Sequence, residues 1–572
     1  MATVQVTYAN IDPKVRKMIM IGLIFAMLIA CLDGTIVGVC GPKIAADLEG
    51  NSLYAWMITA YLLCETVMIP LSGKLSDLYG RKPLFLIGLT IFVFGSFAAG
   101  ASTSMTMFIV CRAVQGVGGG ILIPVATAAV ADLYSPVERP KMQGALGAVF
   151  GIGSGIGPLI GGLLTESDML GWRWAFYINI PLAIVAYVLT LKKFPAPEID
   201  SKPIIDVKGM TVLSVMLLDL VLFFEFAGDE IAWISIESGA MIGLFIALMV
   251  VFVKIEQGAL EPVLAPHLLQ NRPIVIACIM MLIFGIAMMG SMTYASLFAI
   301  TILIEDHSTI TAGLYSLFMV AGMVITVNLS GKFLEKTGYR FWIIIGTVIT
   351  AASMLLMSKM TMDTSLNYYA VCLFLLGAGL GCMMATIMVG VQNSSSEKEM
   401  GMSTSAVNLL RSIGATVGTA IFAMVISNKI GSELDKNLPA DISAMLSHDT
   451  GILDDLQNQD LINRVTMKLM EDGVPLIDIP AALQELFNGV LLSFANSIDF
   501  GFVAGAVITL VIIVPAFFFK PKFYMEIPVS LTMEDGTVVQ SDSYSGPNYA
   551  SLENKVAEDS EETAEDDNSG QN

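Results

Sequence analysis

Residues 151–162 read GIGSGIGPLIGG, six glycines and one proline in twelve positions. In water such a run is a loop, because glycine and proline are the poorest helix formers. The flanks argue otherwise. GALGAVF precedes the run and LLTES follows it, so it lies inside an apolar segment at 141–165. Gly147, Gly151 and Gly155 are spaced by four, and so are Gly153, Gly157 and Gly161. In a helix each set forms a ridge of small residues that lets a neighbouring helix come close. Lipid gives an unwound backbone nothing to hydrogen-bond, so the helix is held there despite its poor aqueous propensity. Pro158 can bend it. A phosphate cradle would need a strand before the glycines and a helix after them at the edge of water, and the sequence offers neither.

The composition supports lipid as the solvent. The chain has 572 residues, 55% hydrophobic and 14% charged, with a mean hydropathy of +0.74. A soluble chain carries about 25% charged residues. The formal charge of −20 gathers in loops and in the acidic stretch Ser551–Asn572, so it describes a solvated tail. Without a basic stripe, nucleic acid is not an expected partner. The seven cysteines fall in apolar segments with no CxxC pair, and His267, His307 and His448 fall outside them. No disulfide framework, metal site or haem is expected.

Counting apolar runs of about 20 residues predicts fourteen spans. They are 17–40, 54–73, 83–101, 106–131, 141–165, 173–191, 209–227, 236–254, 273–304, 310–332, 340–358, 367–391, 403–427 and 498–520. With the N-terminus in the cytoplasm, cytoplasmic segments hold about 20 Lys and Arg against about 7 outside, so both termini are expected inside. Trp56, Trp172, Trp174 and Trp233 then mark the outer interface and Trp342 the inner one. The expected domains are a six-helix bundle at 15–192, an extra transmembrane hairpin at 206–256 and a second six-helix bundle at 272–522. The last includes an outer helical insertion at 431–497, read as a hairpin over the outer mouth. An acidic, largely disordered cytoplasmic tail follows at 523–572, with strand-like IPVSLTMEDGTVVQS turning at Asp-Gly.

Between spans 2 and 3 stands GKLSDLYGRKP, residues 73–83. Lys74, Arg81 and Lys82 serve as positive-inside anchors, but Asp77 adds nothing to anchoring. Gly73 and Gly80 suit close helix approach and a tight turn. After span 10 the chain reads GKFLEKTGYR, residues 331–340, a weaker copy. Two copies in corresponding places mark the internal repeat of a transporter.

These motifs resemble those of the major facilitator superfamily, and within it the fourteen-helix drug:proton antiporters. The first-helix stretch LDGTIVGVCGPKIAADL (Leu32–Leu48), the fourth-helix RAVQGVGGG (Arg112–Gly120) and WRWAFYINIPLAI (Trp172–Ile184) are similar to that group's motifs. The resemblance covers residues 15–430 and span 14. It implies an all-α fold of two six-helix bundles plus two helices, rocking around a central site. It identifies 151–162 with the fifth-helix motif associated with antiport. It implies a proton relay through Arg112, an Arg81–Asp132 pair that latches the inner gate, and an Asp77 facing the end of a helix of the second half.

An ionised side chain at mid-span costs about 2.5–3.5 kcal/mol, so each needs a reason. Asp33 in span 1 and Glu65 in span 2 read as sites for a proton or a cationic substrate, which would compete for one acid. Glu65 reads equally as a structural hydrogen bond to a neighbouring helix, and Arg112 as a structural ion pair. Arg411, near an inner end, is expected to be structural and able to snorkel. Asp219 and Glu225, in the extra hairpin, face either the bundles or an interface. The methionines of span 9, among them Met280, Met281 and Met288, suit adaptable packing more than a pocket.

The resulting expectation is a proton-coupled exporter of hydrophobic, cationic drugs in the plasma membrane, monomeric, and not an enzyme. Its partners are small hydrophobic or cationic substrates, protons and membrane lipids. No GxxxxGK[ST] occurs and no cofactor is expected, so the proton gradient is the driver. Export of an endogenous lipid, metabolite or peptide, and proton-linked uptake, remain as alternatives. A receptor or scaffold has no use for buried acids.

Overall fold

The computed structural model describes residues 11–521, apart from 51–52, 135–137, 167–170, 192–193, 195–204, 228–230, 234, 260, 265–267, 269, 305–308, 397–398, 447–458, 472–474 and 476–477. It also describes 529–532 and 538–541. Among the described residues, thirteen helices are long and apolar enough to cross a membrane. They are α1 (Pro13–Asp47), α2 (Tyr54–Tyr79), α3 (Arg81–Gly100), α4 (Met105–Leu133), α6 (Trp174–Leu191), α7 (Val207–Phe226), α8 (Ile236–Gly258), α9 (Arg272–Phe298), α10 (Thr309–Thr337), α11 (Tyr339–Met357), α12 (Leu366–Gln392), α13 (Met400–Asn437) and α14 (Ile479–Phe518). The glycine run lies in α5 (Arg139–Glu166), one continuous helix of 28 residues. At 1.5 Å per residue it is about 42 Å long, more than the hydrocarbon core of a bilayer.

The helices form two bundles with the same internal pairing. In the first, α1 packs on α5 and α6, α2 on α4, and α3 on α4 and α6. In the second, α9 packs on α13 and α14, α10 on α12, and α11 on α12 and α14. The repeat suspected from residues 73–83 and 331–340 is thus a repeat of structure. Gly80 ends α2 at φ +88° and Gly338 ends α10 at φ +78°. Both turns enter the left-handed region, which costs glycine nothing.

The bundles meet along two seams, α2 with α13 and α10 with α5, again equivalent under the repeat. The hairpin α7–α8 lies against the first seam. Leu213 and Leu217 of α7 are buried with Ile69 of α2 and Leu409 of α13. Its polar ties run to α2: Thr59 donates to Glu225 at 2.5 Å, and Phe226 meets Trp56 at 5.7 Å between ring centroids. Asp219 is also buried.

Several expectations change. The outer insertion is no separate hairpin over a mouth: α13 and α14 run unbroken through 431 and 497, and their apolar stripes continue the second bundle's core through Ile430, Leu434, Val490 and Phe494. The amphipathic helix Gln459–Glu471 packs on that extension through Leu461 and Val465. Trp172 does not face outward from the protein. It is buried against Phe108 and Phe176, and its indole N–H donates to Asp47 at 2.9 Å. Met280, Met281 and Met288 are core residues of the second bundle. The turn between α9 and α10 at Glu305-Asp306-His307 lies outside the described residues, and α9 ends in a π-turn, Ala299–Leu303. In the tail, Val529–Thr532 pairs antiparallel with Val538–Ser541, as the alternation around Asp-Gly suggests. The rest of 523–572 lies outside the described residues.

Candidate functional site

Asp33 and Arg112, 79 positions apart, form an ion pair between α1 and α4, each 1% exposed. Two charges survive such burial only when their remaining atoms are bonded. Gln115, one turn beyond Arg112 on the same face of α4, closes a ring: its Nε2 donates to Asp33 Oδ1 at 2.6 Å, and its Oε1 accepts from Arg112 Nη1 at 2.7 Å. The Arg112 guanidinium lies 4.3 Å from the centre of the Tyr61 ring of α2, a cation–π contact. A third donor comes from α6. Asn179 Nδ2 reaches Asp33 Oδ1 at 3.3 Å and Ser96 Oγ of α3 at 3.0 Å. The α6 backbone breaks at Ile178, between Trp174–Tyr177 and Asn179–Leu191. Pro181 has no N–H for the carbonyl of Tyr177, and the break sets Asn179 at the start of the second segment. Two helices, α4 and α6, thus donate to one carboxylate of α1.

Glu65 of α2 lies half-buried in the reach of two cations, Arg411 first and Arg112 second. Arg411 does not snorkel. It is buried, and it stands close to Glu65 and Cys31. Its helix, α13, packs on α2 at the first seam and on α9 of its own bundle, and Arg411 is 6% exposed. A charge couple therefore crosses between the bundles. At the next residue of each helix, the Thr66 and Ser412 hydroxyls meet at 3.3 Å.

The end of the molecule that carries residues 73–83 is closed. Asp77 pairs with Arg81 at 2.6 Å and accepts the backbone N–H groups of Gly401 at 3.0 Å and Met402 at 2.8 Å. These are first-turn donors of α13, which have no partner inside their own helix. Arg81 also reaches Asp132 at 2.9 Å and Ser76 Oγ. The latch implied by the resemblance is therefore assembled, with Asp77 capping a helix of the other bundle. Gly73 and Gly401 make this possible: a Cβ on Gly401 would collide with Gly73 O, Asp77 Oδ1 and Arg81 Nη1. Lys74 and Arg81 are no solvent-facing anchors; both are buried, and Lys74 pairs with Glu261, after α8, at 2.6 Å. Lys82 is half-buried. Further bonds join the bundles here, from Gln392 Nε2 to Thr127 O at 2.9 Å and from Arg139 Nη1 to Asn393 Oδ1 at 3.2 Å.

The described glycines of α5 meet two different helices. Gly153, Gly157 and Gly161 lie on Cys31, Thr35 and Val39 of α1, themselves spaced by four. Thr35 Oγ1 donates to Gly153 O at 3.3 Å. Gly147, with Gly144, lies on Val327 of α10, in the other bundle. The surroundings of Gly151, Gly155 and Pro158 lie outside the described residues. Sequence reading missed Gln115, Asn179 and Ser96. Gln115 was legible as the i+3 neighbour of Arg112; Asn179 and Ser96 carried no signal beyond being polar in apolar runs.

A family model described as Major Facilitator Superfamily matches residues 23–419. The chain belongs to the Major Facilitator Superfamily. It is a multi-pass membrane transporter and not an enzyme. It is 33% identical over 514 residues to the multidrug transporter protein MdtP of Bacillus subtilis (strain 168), covering 88% of this chain and 93% of that one. To Multidrug resistance protein 3 of the same organism it is 33% identical over 425 residues, 73% of this chain and 81% of that one. The solved human organic anion transporter MFSD10 (TETRAN) is similar in fold, with a TM-score of 0.56 at 13% identity over 88% of this chain and all of that one. In this superfamily chain, the pairing of α1–α6 with α9–α14 is the fold, and α7–α8 is an addition to it.

Proposed function

We propose that this transporter exports hydrophobic, cationic drugs or toxic compounds in exchange for protons. Fourteen helices cross the plasma membrane, with both termini in the cytoplasm. The observation that carries the reading is the identity with MdtP, whose name describes a multidrug transporter, along nearly the whole of both chains. With this orientation the latched end is cytoplasmic. Asp33 and Glu65 are the acids at which proton and cation compete, balanced by Arg112 and Arg411. A cation displaced by a proton on the outer side leaves; a proton lost to the cytoplasm frees the acid for the next cation. Exchanged one for one with a monovalent cation, the proton moves no net charge, so the pH part of the gradient is the driver. Opening the cytoplasmic end requires Asp77 to release the first turn of α13.

The test is flux in energised everted vesicles, with tetraphenylphosphonium as the cation. Uptake that collapses the proton gradient and disappears in Asp33→Asn is the expected result. Uptake independent of the gradient, or unchanged coupling in Asp33→Asn, would overturn the reading.

A further inference from the structure

Asn179 stands where the buried site meets the break in α6, and its bonds fix which way its amide points. Ser96 Oγ donates its one hydrogen to Phe176 O at 2.9 Å. Toward Asn179 it therefore offers only lone pairs, so Asn179 must present Nδ2 there, at 3.0 Å. The same Nδ2 reaches Asp33 Oδ1 at 3.3 Å. Asn179 Oδ1 is left buried with no hydrogen-bond partner, on a residue that is 0% exposed. An orphaned buried acceptor costs about 1–3 kcal/mol, which a second state that gives it a donor would recover.

We infer that Asn179 is a positioning residue that reads the charge on Asp33 and passes it to α6, through a chain of hydrogen bonds running Asp33–Asn179–Ser96–Phe176 O. With Asp33 ionised, the chain points toward the carboxylate, as observed. When Asp33 takes a proton from the aqueous side to which the site opens, an O–H bond forms on the carboxyl and none breaks in the protein. A donor then faces a donor. Turning the Asn179 amide by half a rotation brings Oδ1 to accept from Asp33, and Ser96 can rotate its hydrogen onto the same oxygen. Phe176 O, just before the Ile178 break, loses its side-chain donor. The step deepens the proposed exchange at Asp33 and rests on it.

The groups that face Asp33 are known from each helix around it. Arg112 comes from α4, and Tyr61 and Glu65 from α2. From α6 it meets the uncharged Asn179, and α1 itself brings Cys31, one turn from Thr35 and against Gly153 of α5. Asn179, like Gln115 of α4, is a donor to Asp33 whose removal changes no charge, and it is the one that connects to α6.

Binding of tetraphenylphosphonium to the purified full chain in detergent, followed against pH, tests this without transport. In the wild type, Asp33-dependent binding falls as pH drops and the proton wins. A donor to a carboxylate favours its ionised form, so losing that donor lets the proton win at higher pH. Asn179→Ala is expected to move the binding midpoint up by about one pH unit. Asn179→Asp, the same size but adding a like charge, is expected to move it further. Asn179→Ser, which keeps a donor, is expected to lie between the wild type and Asn179→Ala. A midpoint identical in all four proteins overturns the role of Asn179 while leaving Asp33 as the shared site. Binding that never depends on Asp33 overturns both.

Discussion

The α2–α13 seam and the α5–α10 seam occupy equivalent places in the two-bundle repeat, yet they are made of opposite materials. At the first, backbone meets backbone at Gly73 and Gly401, and a charge does the holding: Asp77, itself paired with Arg81, accepts two backbone N–H groups of α13. At the second the contacts are apolar, with Gly144 and Gly147 on Val327 at one end and Gly313 against the Leu159 backbone at the other. The second copy of the loop motif keeps its turn at Gly338, but Lys332 lies over Phe333 and Arg340 donates to Phe519 O at 3.4 Å, within its own bundle. Ionic contacts are directional and strong only when assembled, so they break at a defined point; apolar contacts slide with little change in energy. One seam is built to open, the other to stay in contact while it does.

Four substitutions test that difference, from the largest expected effect to the smallest. Gly401→Val places a branched side chain among Gly73 O, Asp77 and Arg81. Vesicle flux is expected to fall below about 1% of wild type, since overpacking and an unpaired buried ion pair together exceed about 3 kcal/mol. Asp77→Asn keeps the size but removes the charge that holds Arg81 and the first turn of α13. A loss of 1.5–3 kcal/mol from charged hydrogen bonds corresponds to about tenfold or more in flux. A cysteine at Ser405 should also react faster with a soluble maleimide added from the latched end. Gly313→Ala adds one methyl to the apolar seam. It is expected to lower flux about threefold and the thermal midpoint by a few degrees. If it costs more than Asp77→Asn, the contrast between the seams is wrong. Glu261→Gln breaks the pair with Lys74, and because Glu261 is 46% exposed the change should stay within about twofold. Restoration by the Lys74→Glu, Glu261→Lys exchange would show that the hairpin linker and the loop act as a pair.

Much of this was legible along the chain. The loop at 73–83 announced the repeat and set Asp77 apart, because a carboxylate in a positive-inside loop has no anchoring role; the pairing of Arg81 with Asp132 was implied by the resemblance. The spacing of the glycines announced helix contacts. Asp33 and Arg112 stood out because their insertion into lipid is expensive. What stayed hidden were their partners. Gln115 and Asn179 are uncharged, and an amide in an apolar run reads the same whether it binds a carboxylate or a carbonyl. Arg411 near a span end looked able to reach water, but that depended on which face of α13 it occupied. Asp219 and Glu225 looked alike; only Glu225 finds a hydroxyl on α2.

By itself the sequence determined that most of this chain is helix in lipid, including the glycine run. Length, hydropathy and the need to satisfy every backbone group inside the segment are local properties. It determined the two-fold repeat as well, because the loop motif is short and contiguous. The tertiary structure alone decided that Gly153, Gly157 and Gly161 face their own bundle and Gly147 the other, and where Lys74, Trp172 and Arg411 lie. It also decided that Asn179 closes the shell around Asp33. Those outcomes depend on groups brought together from 79 to 346 positions apart. A contact across that distance is set by how helices pack, and not by the residues on either side of it in the chain.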